Sequence, residues 1–365
     1  MRIFITFYYI LIVLFFIQCE NKKNERDTNS KLQDLELVHK NDLHLKTDGI
    51  LFGRLRQEFI SSKNDLYWAF HDFTKQQILV FKSNGNLVAT IGSKGKGPAE
   101  FENVFGYNFD EKNTIWAFDE KLDLFKNFAL NDSLINTYQG IYEDGFLQSH
   151  PQLFVNEGKI YVPTTEVKYN TSDLSKIWQS SLISVYNVNG DFLKVLGKFG
   201  SPAKNPDTYN VRAMLDFDFT NNVVLSAYST SYLMGEVNLE SNSHSNFFGV
   251  RPPNFRTAEE ETTVNDSFSE ILKKGLSRSA PMSAHITNEY YIFYYQNLTQ
   301  EWYDTRDPNK KNHFLVFYDK KTKEFLNELQ LPYALGNITM ENDIRLIKSI
   351  DPDNFIIGDY KLDAR

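Results

Sequence analysis

Cysteine is nearly absent from this sequence, because Cys19 is the only one among 365 residues. A single thiol excludes an internal disulfide and a metal site built from cysteines. Positive charge is also scarce, with 39 basic against 47 acidic residues and a formal net charge of -8. Binding to a phosphate backbone normally requires a basic face, so the sequence argues against a nucleic-acid partner.

Local motifs for metal binding and for nucleophilic catalysis are missing as well. The seven histidines show neither His-x-His nor His-Glu-x-x-His spacing. No Gly-x-Ser-x-Gly turn is present for a serine nucleophile. The sequence therefore predicts no metal and no cofactor, and it favours a non-catalytic role while leaving catalysis open.

The start of the chain has the features of an export signal. Arg2 precedes the apolar run Ile3–Ile17, which is shorter than the ~20 residues that a membrane-spanning helix needs. Cys19 follows this run, as in a bacterial lipoprotein signal whose cysteine receives a diacylglycerol, although Gln18 replaces the usual small residue. We expect residues 1–18 to be a signal peptide and residues 19–32 to be a polar tether lipidated at Cys19. An ordinary signal, or an uncleaved anchor with a chance cysteine, is the alternative.

A strand pattern occurs twice between residues 64 and 138. Its first copy is Leu66–Phe70, Ile78–Phe81 and Leu87–Ile91, and its second is Ile115–Asp119, Leu122–Phe125 and Leu134–Tyr138. Short β-branched and aromatic runs separated by Gly, Asn and Asp indicate strands joined by tight turns. A repeat of this size is typical of a propeller blade, and the 15% aromatic content suits packing between sheets.

Six such copies can be counted along the chain. Their strongest strands begin near Leu66, Ile115, Ile160, Val223, Tyr291 and Phe355. The last copy is two strands short, and the apolar segments 35–38 and 43–45 remain unassigned. We therefore predict an all-β, six-bladed β-propeller of four-stranded antiparallel blades over residues 33–365, monomeric and closed by N-terminal strands that complete the last blade and remove an exposed edge.

Three segments resemble a known group of propellers: the loop Gly92–Phe101, the strand Ile115–Asp119 and the ending Asp351–Lys361. A weaker copy of the loop follows as Leu196–Pro202. The chain resembles the exported six-bladed propellers described as TolB-like or NHL-like, many of them predicted lipoproteins of Gram-negative bacteria. The resemblance implies this fold, export, and anchoring to the cell envelope, at the outer membrane on its periplasmic or surface side. It implies little about activity, because one fold serves many functions.

Loop lengths indicate which face of the propeller is functional. In an antiparallel blade, the loop between the second and third strands and the loop between blades emerge on the same face. All the long segments belong to this class: residues 92–106, 166–181, 197–212, 250–282 and 296–312. The turns of the other class are short, and we place 111–113, 156–158, 220–222 and 351–353 among them. Long loops are usually functional or disordered, so this long-loop face is the expected binding surface, with a disordered and ligand-free face as the alternative.

The two long insertions within blades carry the candidate binding residues Trp178, Trp302, Tyr303, Asp304 and Arg306. Aromatic planes beside polar groups suit sugar rings or peptides, although each aromatic can instead pack under its own loop. Lys94 and Lys96 in the Gly-rich loop are further candidates for holding an anion, but a structural role is favoured because the loop lacks the Gly-Lys-Ser/Thr of a P-loop.

Other polar residues admit both a catalytic and a structural interpretation. Asp72 and Asp119 follow corresponding strands, and capping of the next turn is favoured over catalysis. A channel along the propeller axis could be lined by residues near the starts of inner strands: His150, Arg212, Asp216 and His285. The preferred function is a membrane-tethered, non-catalytic module that binds a glycan, peptide or envelope protein. The alternatives are a lyase, lactonase or hydrolase with a site on the axis, and an envelope scaffold without a small ligand.

Overall fold

The aromatic and β-branched runs form strands that pair into six antiparallel sheets, one for each blade of an all-β, six-bladed propeller. The computed structural model describes residues 35–47, 52–56, 59–131, 133–139, 146–148, 152–166, 181–198, 213–228, 231–243, 247–257, 267–351 and 354–364. The predicted signal peptide, tether and lipidation site at Cys19 lie outside these residues.

Each blade runs from an inner strand to an outer strand. Blades 1 and 2 contain β2 (Ile60–Ser61), β3 (Tyr67–Asp72), β4 (Gln77–Lys82), β5 (Leu87–Ile91), β6 (Val104–Phe109), β7 (Ile115–Asp119), β8 (Leu124–Phe128) and β9 (Leu134–Gln139). Blades 3 and 4 contain β10 (Phe146–Gln148), β11 (Phe154–Asn156), β12 (Lys159–Glu166), β13 (Ser181–Asn187), β14 (Phe192–Lys198), β15 (Ala213–Asp218), β16 (Val223–Tyr228) and β17 (Met234–Asn238). Blades 5 and 6 contain β18 (Ser279–Ile286), β19 (Tyr290–Asn297), β20 (Asn312–Asp319), β21 (Phe325–Leu331), β22 (Ala334–Ile338), β23 (Asp343–Asp351), β24 (Asn354–Ala364) and β1 (Leu35–Leu45).

Blades 3 and 4 depart from the expected four strands. In blade 3, β10 and β11 both pair with β12, which makes a five-stranded sheet. Blade 4 has three strands among the described residues, and a single bridge between Met234 and Phe248 occupies the place of a fourth.

The ring is closed by the N-terminal strand β1, which pairs antiparallel with β24 from Leu35 opposite Ala364 to Leu45 opposite Phe355. Closure by the N-terminal segment is thus confirmed, but the expectation of two N-terminal strands is wrong. Segments 35–38 and 43–45 form one strand with a register shift after His39, and β22 supplies the inner strand that the sequence reading missed. As a result, the connection between β23 and β24 joins second and third strands, and the prediction that placed 351–353 among the turns of the opposite face is wrong.

Hydrogen bonds between successive inner strands hold the ring together. The amide of Asn108 in blade 2 donates to the carbonyl of Leu153 before blade 3 at 2.7 Å. The amide of Asn337 in blade 6 donates to the carbonyl of Phe59 before blade 1 at 3.0 Å. Between these links, apolar side chains fill the space where neighbouring blades face each other, as with Phe70 against Phe355, whose ring centroids lie 5.1 Å apart.

Two short helices lie on the long-loop face. Helix α1 (Phe268–Gly275) begins with a capping box, in which the Ser267 backbone N–H donates to the Glu270 carboxylate at 2.7 Å. Helix α2 (Gln300–Thr305) lies between β19 and β20 of blade 5. No helix in the part of the chain that the structure describes is long and apolar enough to cross a membrane.

Candidate functional site

The segment between β19 and β20, residues 298–311, is a structured loop that we call the blade-5 insertion. Thr299 caps α2 by accepting a hydrogen bond from the Trp302 N–H at 3.0 Å, and its hydroxyl donates to the Lys310 carbonyl across the base of the loop. Arg306 ends α2 in the left-handed conformation with φ 60°. Asp307 then caps a 3-10 helix at Pro308–Lys310 by accepting from the Asn309 N–H at 2.9 Å. These local bonds fix the direction of the side chains that the insertion presents.

Three of the predicted binding residues meet on this insertion. The Arg306 guanidinium lies 5.1 Å from the centre of the Trp302 ring and 4.7 Å from that of Tyr303. The Lys311 ammonium lies 5.3 Å from the Trp302 ring. Both aromatic residues are half-buried. The rings of Trp302 and Tyr303 are therefore partly covered by the chain's own cations, in the geometry of cation–π contacts. They are less exposed than the aromatic planes that the sequence analysis described as a surface for sugars or peptides.

The acidic side chains of the insertion all have partners. Glu301 forms an ion pair with Lys310 at 2.8 Å, and the predicted binding residue Asp304 accepts from the Gln300 amide at 2.8 Å. Asp307 is used as the cap described above. Neither Arg306 nor Lys311 forms an ion pair with a carboxylate among the described residues, whereas Asp304 and Asp307 accept hydrogen bonds from neutral groups and keep their own charge.

A chain of buried polar side chains, formed by Gln296, Tyr294 and His313, contacts the Lys311 ammonium. This ammonium donates to Gln296 Oε1 at 3.3 Å, and the Gln296 amide donates to the Tyr294 hydroxyl at 2.8 Å. This hydroxyl lies 2.7 Å from Nδ1 of the buried His313. Burial, followed by the charge of Lys311, lowers the pKa of His313 to about 4, so this imidazole is neutral near pH 7.

Lys311 is itself only partly solvated. Burial lowers its pKa, and the positive charge of Arg54 lowers it further. Arg54 is an exposed residue of the connection from blade 6 to blade 1, anchored by its N–H to the Thr74 hydroxyl at 3.1 Å. Desolvating a cation beside a second cation costs free energy unless an anion compensates it. The sequence did not indicate Arg54 or Lys311 as binding residues. Lys310 and Lys311 are adjacent and alike, so the sequence does not show which of them pairs with Glu301.

The Gly-rich loop that carries Lys94 and Lys96 is closed on itself. The Glu100 carboxylate accepts from the Gly97 N–H at 2.8 Å, and a Cβ on Gly95 would lie 2.0 Å from the same carboxylate. Lys94 is exposed, and Lys96, with 76% of its side chain exposed, approaches Glu102 at 3.7 Å. This loop joins blades 1 and 2, and no described contact brings either lysine to the blade-5 insertion. The geometry agrees with the structural role that the sequence favoured.

Asp72 and Asp119 cap turns and clamp the connections between blades. Asp72 accepts from the Thr74 N–H at 2.8 Å and from the Gly53 N–H at 2.7 Å. Asp119 accepts from the Glu102 N–H at 2.8 Å and from the Leu122 N–H at 3.3 Å. Both carboxylates are fully buried, and the predicted capping role is confirmed.

Four inner strands place a polar side chain at the same level around the axis: Asn108, Asp216, His285 and Asn337. Each is half-buried and lies near the end of its strand, toward the short turns. The prediction that Asp216 and His285 lie near the starts of inner strands is therefore wrong. His150 and Arg212, predicted beside them, lie outside the described residues, as does Trp178.

Partial desolvation shifts the pKa values of Asp216 and His285 away from their ordinary values. Burial raises the pKa of Asp216 to about 7, even though its carboxylate accepts from the Ile286 N–H at 2.7 Å and the Phe217 N–H at 2.9 Å. Burial lowers the pKa of His285 to about 4, and its Nε2 lies 2.8 Å from the Ser283 hydroxyl. The described residues contain no group of three His, Cys, Asp or Glu side chains placed to hold a metal.

A separate groove opens between blades 3 and 4 on the face of the short turns. Its volume is about 410 Å³, and Tyr161 and Phe219, with ring centroids 5.2 Å apart, form part of its wall. Charges of both signs line it, from Lys159 and Lys194 to Glu157. The size is within the range of small-molecule pockets, but the lining shows no preference for one charge.

Comparison with solved structures supports the fold. The chain is similar to the crystal structure of a member of the DUF4221 family from Bacteroides vulgatus ATCC 8482, with a TM-score of 0.63 and 12% identity over 91% of this chain and 99% of that chain. It is also similar to a protein from Bacteroides fragilis NCTC 9343 named as a candidate exported protein, with a TM-score of 0.53 and 14% identity over 91% of this chain and 95% of that chain. No family model and no curated protein matches the sequence. At these identities the likeness shows the propeller fold alone, and the TolB-like or NHL-like assignment stays a prediction.

Proposed function

We propose that this chain is an exported, lipid-anchored binding propeller that holds a glycan, peptide or protein partner on its long-loop face, at the blade-5 insertion. The observation that carries the proposal is the construction of this insertion. It is capped and tied across its base, and its half-buried aromatics lie beside two cations that have no carboxylate partner in the described part of the chain. Aromatic and arginine side chains of this kind dominate the energetics of binding surfaces. The signal-like N-terminus and the export named for the Bacteroides fragilis protein agree with a role in the cell envelope.

Hydrogen exchange of the full chain tests this assignment. We expect an envelope extract that contains the ligand to slow exchange in residues 298–311, and Trp302→Ala to remove this protection. The exposed Val38→Ala substitution on β1 serves as a control that leaves it intact. Protection confined to the groove between blades 3 and 4, or to the inner strands, would place binding elsewhere and contradict the proposal. Labelled palmitate incorporation that disappears in Cys19→Ala tests the anchor.

One observation favours a second function, an enzyme with its site on the axis. A carboxyl group with a pKa near 7 and a neutral imidazole at the same level are suited to general acid–base catalysis. However, the Asp216 carboxylate is held by two backbone N–H groups and His285 is bonded to Ser283. Turnover of a lactone or glycoside panel that is lost in both Asp216→Asn and His285→Gln would support this function over the binding role.

A further inference from the structure

The charges of the blade-5 insertion specify the chemistry of the ligand as well as its place. Arg306 and Lys311 lie 5.1 Å and 5.3 Å from the centre of the same Trp302 ring. The carboxylates of Glu301, Asp304 and Asp307 are committed to Lys310, Gln300 and the Asn309 N–H. A third cation, Arg54, acts on Lys311 from the connection between blades 6 and 1. The insertion itself carries three acidic and three basic residues, so what distinguishes it is the separation of charge, with two cations at the Trp302 ring that form no ion pair among the described residues.

We propose that Arg306 and Lys311, which both lie at the Trp302 ring, form a subsite for a carboxylate-bearing sugar residue of an acidic glycan. The inference rests on the proposed binding function of this insertion and goes beyond it by naming the ligand. The carboxylate accepts charge-assisted hydrogen bonds from the ammonium and the guanidinium, which are stronger than those between neutral groups. Arg54 adds to the positive potential that favours the anion.

The aromatic ring is what favours a sugar over an acidic peptide. In a hexuronic acid the carboxylate is attached directly to the ring, so the acid and an apolar C–H face occur within a few ångströms of each other on one rigid unit. In the complex, the two cations that lie about 5 Å from the centre of the Trp302 ring turn to the carboxylate, and the C–H face packs on the half-buried indole that they partly cover in the free chain. The side chain of a glutamate engages the cations but has no comparable face for Trp302.

The desolvation of Lys311 supports the same conclusion. Its ammonium has a neutral amide, Gln296 Oε1, as its hydrogen-bond acceptor. The buried layer of Gln296, Tyr294 and the neutral His313 holds the ammonium at the surface without supplying negative charge. A bound carboxylate compensates the cost of partly burying this charge, whereas a neutral ligand adds to that cost.

A pair of ligands that differ only in charge tests the inference: an oligomer of galacturonic acid and its fully methyl-esterified form, each titrated calorimetrically against the full chain. We expect the acid to bind, its affinity to fall with ionic strength, and the ester to bind at least about tenfold more weakly. Lys311→Met, and Arg306→Asn, which keeps a residue tolerant of the left-handed conformation, should each weaken binding of the acid by about tenfold. The matched control is Lys310→Met, the neighbouring lysine that already pairs with Glu301, which should change the affinity by less than about threefold.

The outcomes separate the two proposals. Equal binding of acid and ester with protection of residues 298–311 would overturn the acidic subsite and leave the binding function standing. A poly-glutamate peptide or phosphatidylglycerol vesicles that bind in preference to the oligomer, or equal losses in Lys310→Met and Lys311→Met, would also overturn the subsite. If none of these probes and no envelope extract protects the insertion, both proposals fail. Thermal unfolding of each variant verifies that a lost affinity is not a lost fold.

Discussion

Arg345 in blade 6 and Asp65 in blade 1 form an ion pair across the junction where the ring closes. The Arg345 guanidinium donates to both carboxylate oxygens, with Nη1 to Oδ1 at 2.9 Å, and it lies 4.7 Å from the centre of the Trp68 ring. The Trp68 indole N–H donates to the same carboxylate at 2.9 Å. The Asp65 carboxylate thus bonds to Arg345 of the last blade and to Trp68 of the first. This ion pair closes the ring in addition to the pairing of β1 with β24.

Arg345→Met should weaken this junction. Arg345 is 5% exposed but the Asp65 side chain is 36% exposed, so water solvates the aspartate left behind and we expect a loss of about 1.5 kcal/mol. Urea unfolding measures the loss, and Lys40→Met is the control, since Lys40 pairs with Asp343 at the surface and such a pair contributes less than about 1 kcal/mol. Equal losses in the two variants would show that the Arg345 pair does not stabilise the closure.

Asp216 should make stability depend on pH in an identifiable direction. Its pKa is about 7 in the folded chain and near 3.8 when exposed, so the folded state holds a proton that the unfolded state releases between these values. Its contribution is present below pH 4 and is lost as the pH rises toward 7. Asp216→Asn removes this effect and should gain stability relative to wild type over this interval, measured by urea unfolding at pH 4, 5.5 and 7. A difference that stays constant across these pH values would show that the carboxyl group titrates normally.

Substitution of Lys126 and substitution of Asp119 should change the free energy of unfolding by very different amounts, although the two side chains face each other. Both side chains are fully buried, with the ammonium 3.8 Å from the carboxylate. Lys126→Met leaves the Asp119 carboxylate with its backbone N–H donors, and we expect a change within about 1 kcal/mol, whereas Asp119→Asn leaves a buried cation without an anion and should cost about 3 kcal/mol. Unfolding curves of the two variants check this order, and the reverse order would contradict the account.

Gly95→Ala tests the structural role of the Gly-rich loop. The new Cβ displaces the Glu100 carboxylate and breaks its bond to the Gly97 N–H, at a cost of about 1 kcal/mol. In a background of Glu100→Ala the same change should cost much less, because the obstructing carboxylate is gone. A double-mutant cycle by thermal unfolding measures this coupling, and additive effects would exclude it.

Much of the fold could be read from residues that are neighbours in the chain. The strand Ile115–Asp119 has the predicted bounds, because a short apolar and aromatic run between turn residues is a local property of the sequence. The inner strand Ala334–Ile338 was not predicted because it is short and begins two residues after Pro332, and its pairing with β23 becomes evident only when the sheet is assembled.

The amino-acid sequence by itself determined the propeller architecture, its closure by the N-terminal segment and the face on which the long loops emerge, since these follow from strand periodicity and antiparallel connection. Only the tertiary structure decided which charges of the blade-5 insertion remain without a carboxylate. Lys310 and Lys311 are adjacent and alike in sequence, yet one meets Glu301 and the other meets Gln296 and Trp302. The physical reason is that an ion pair depends on the distance between two side chains, and this distance is determined only when the backbone has folded.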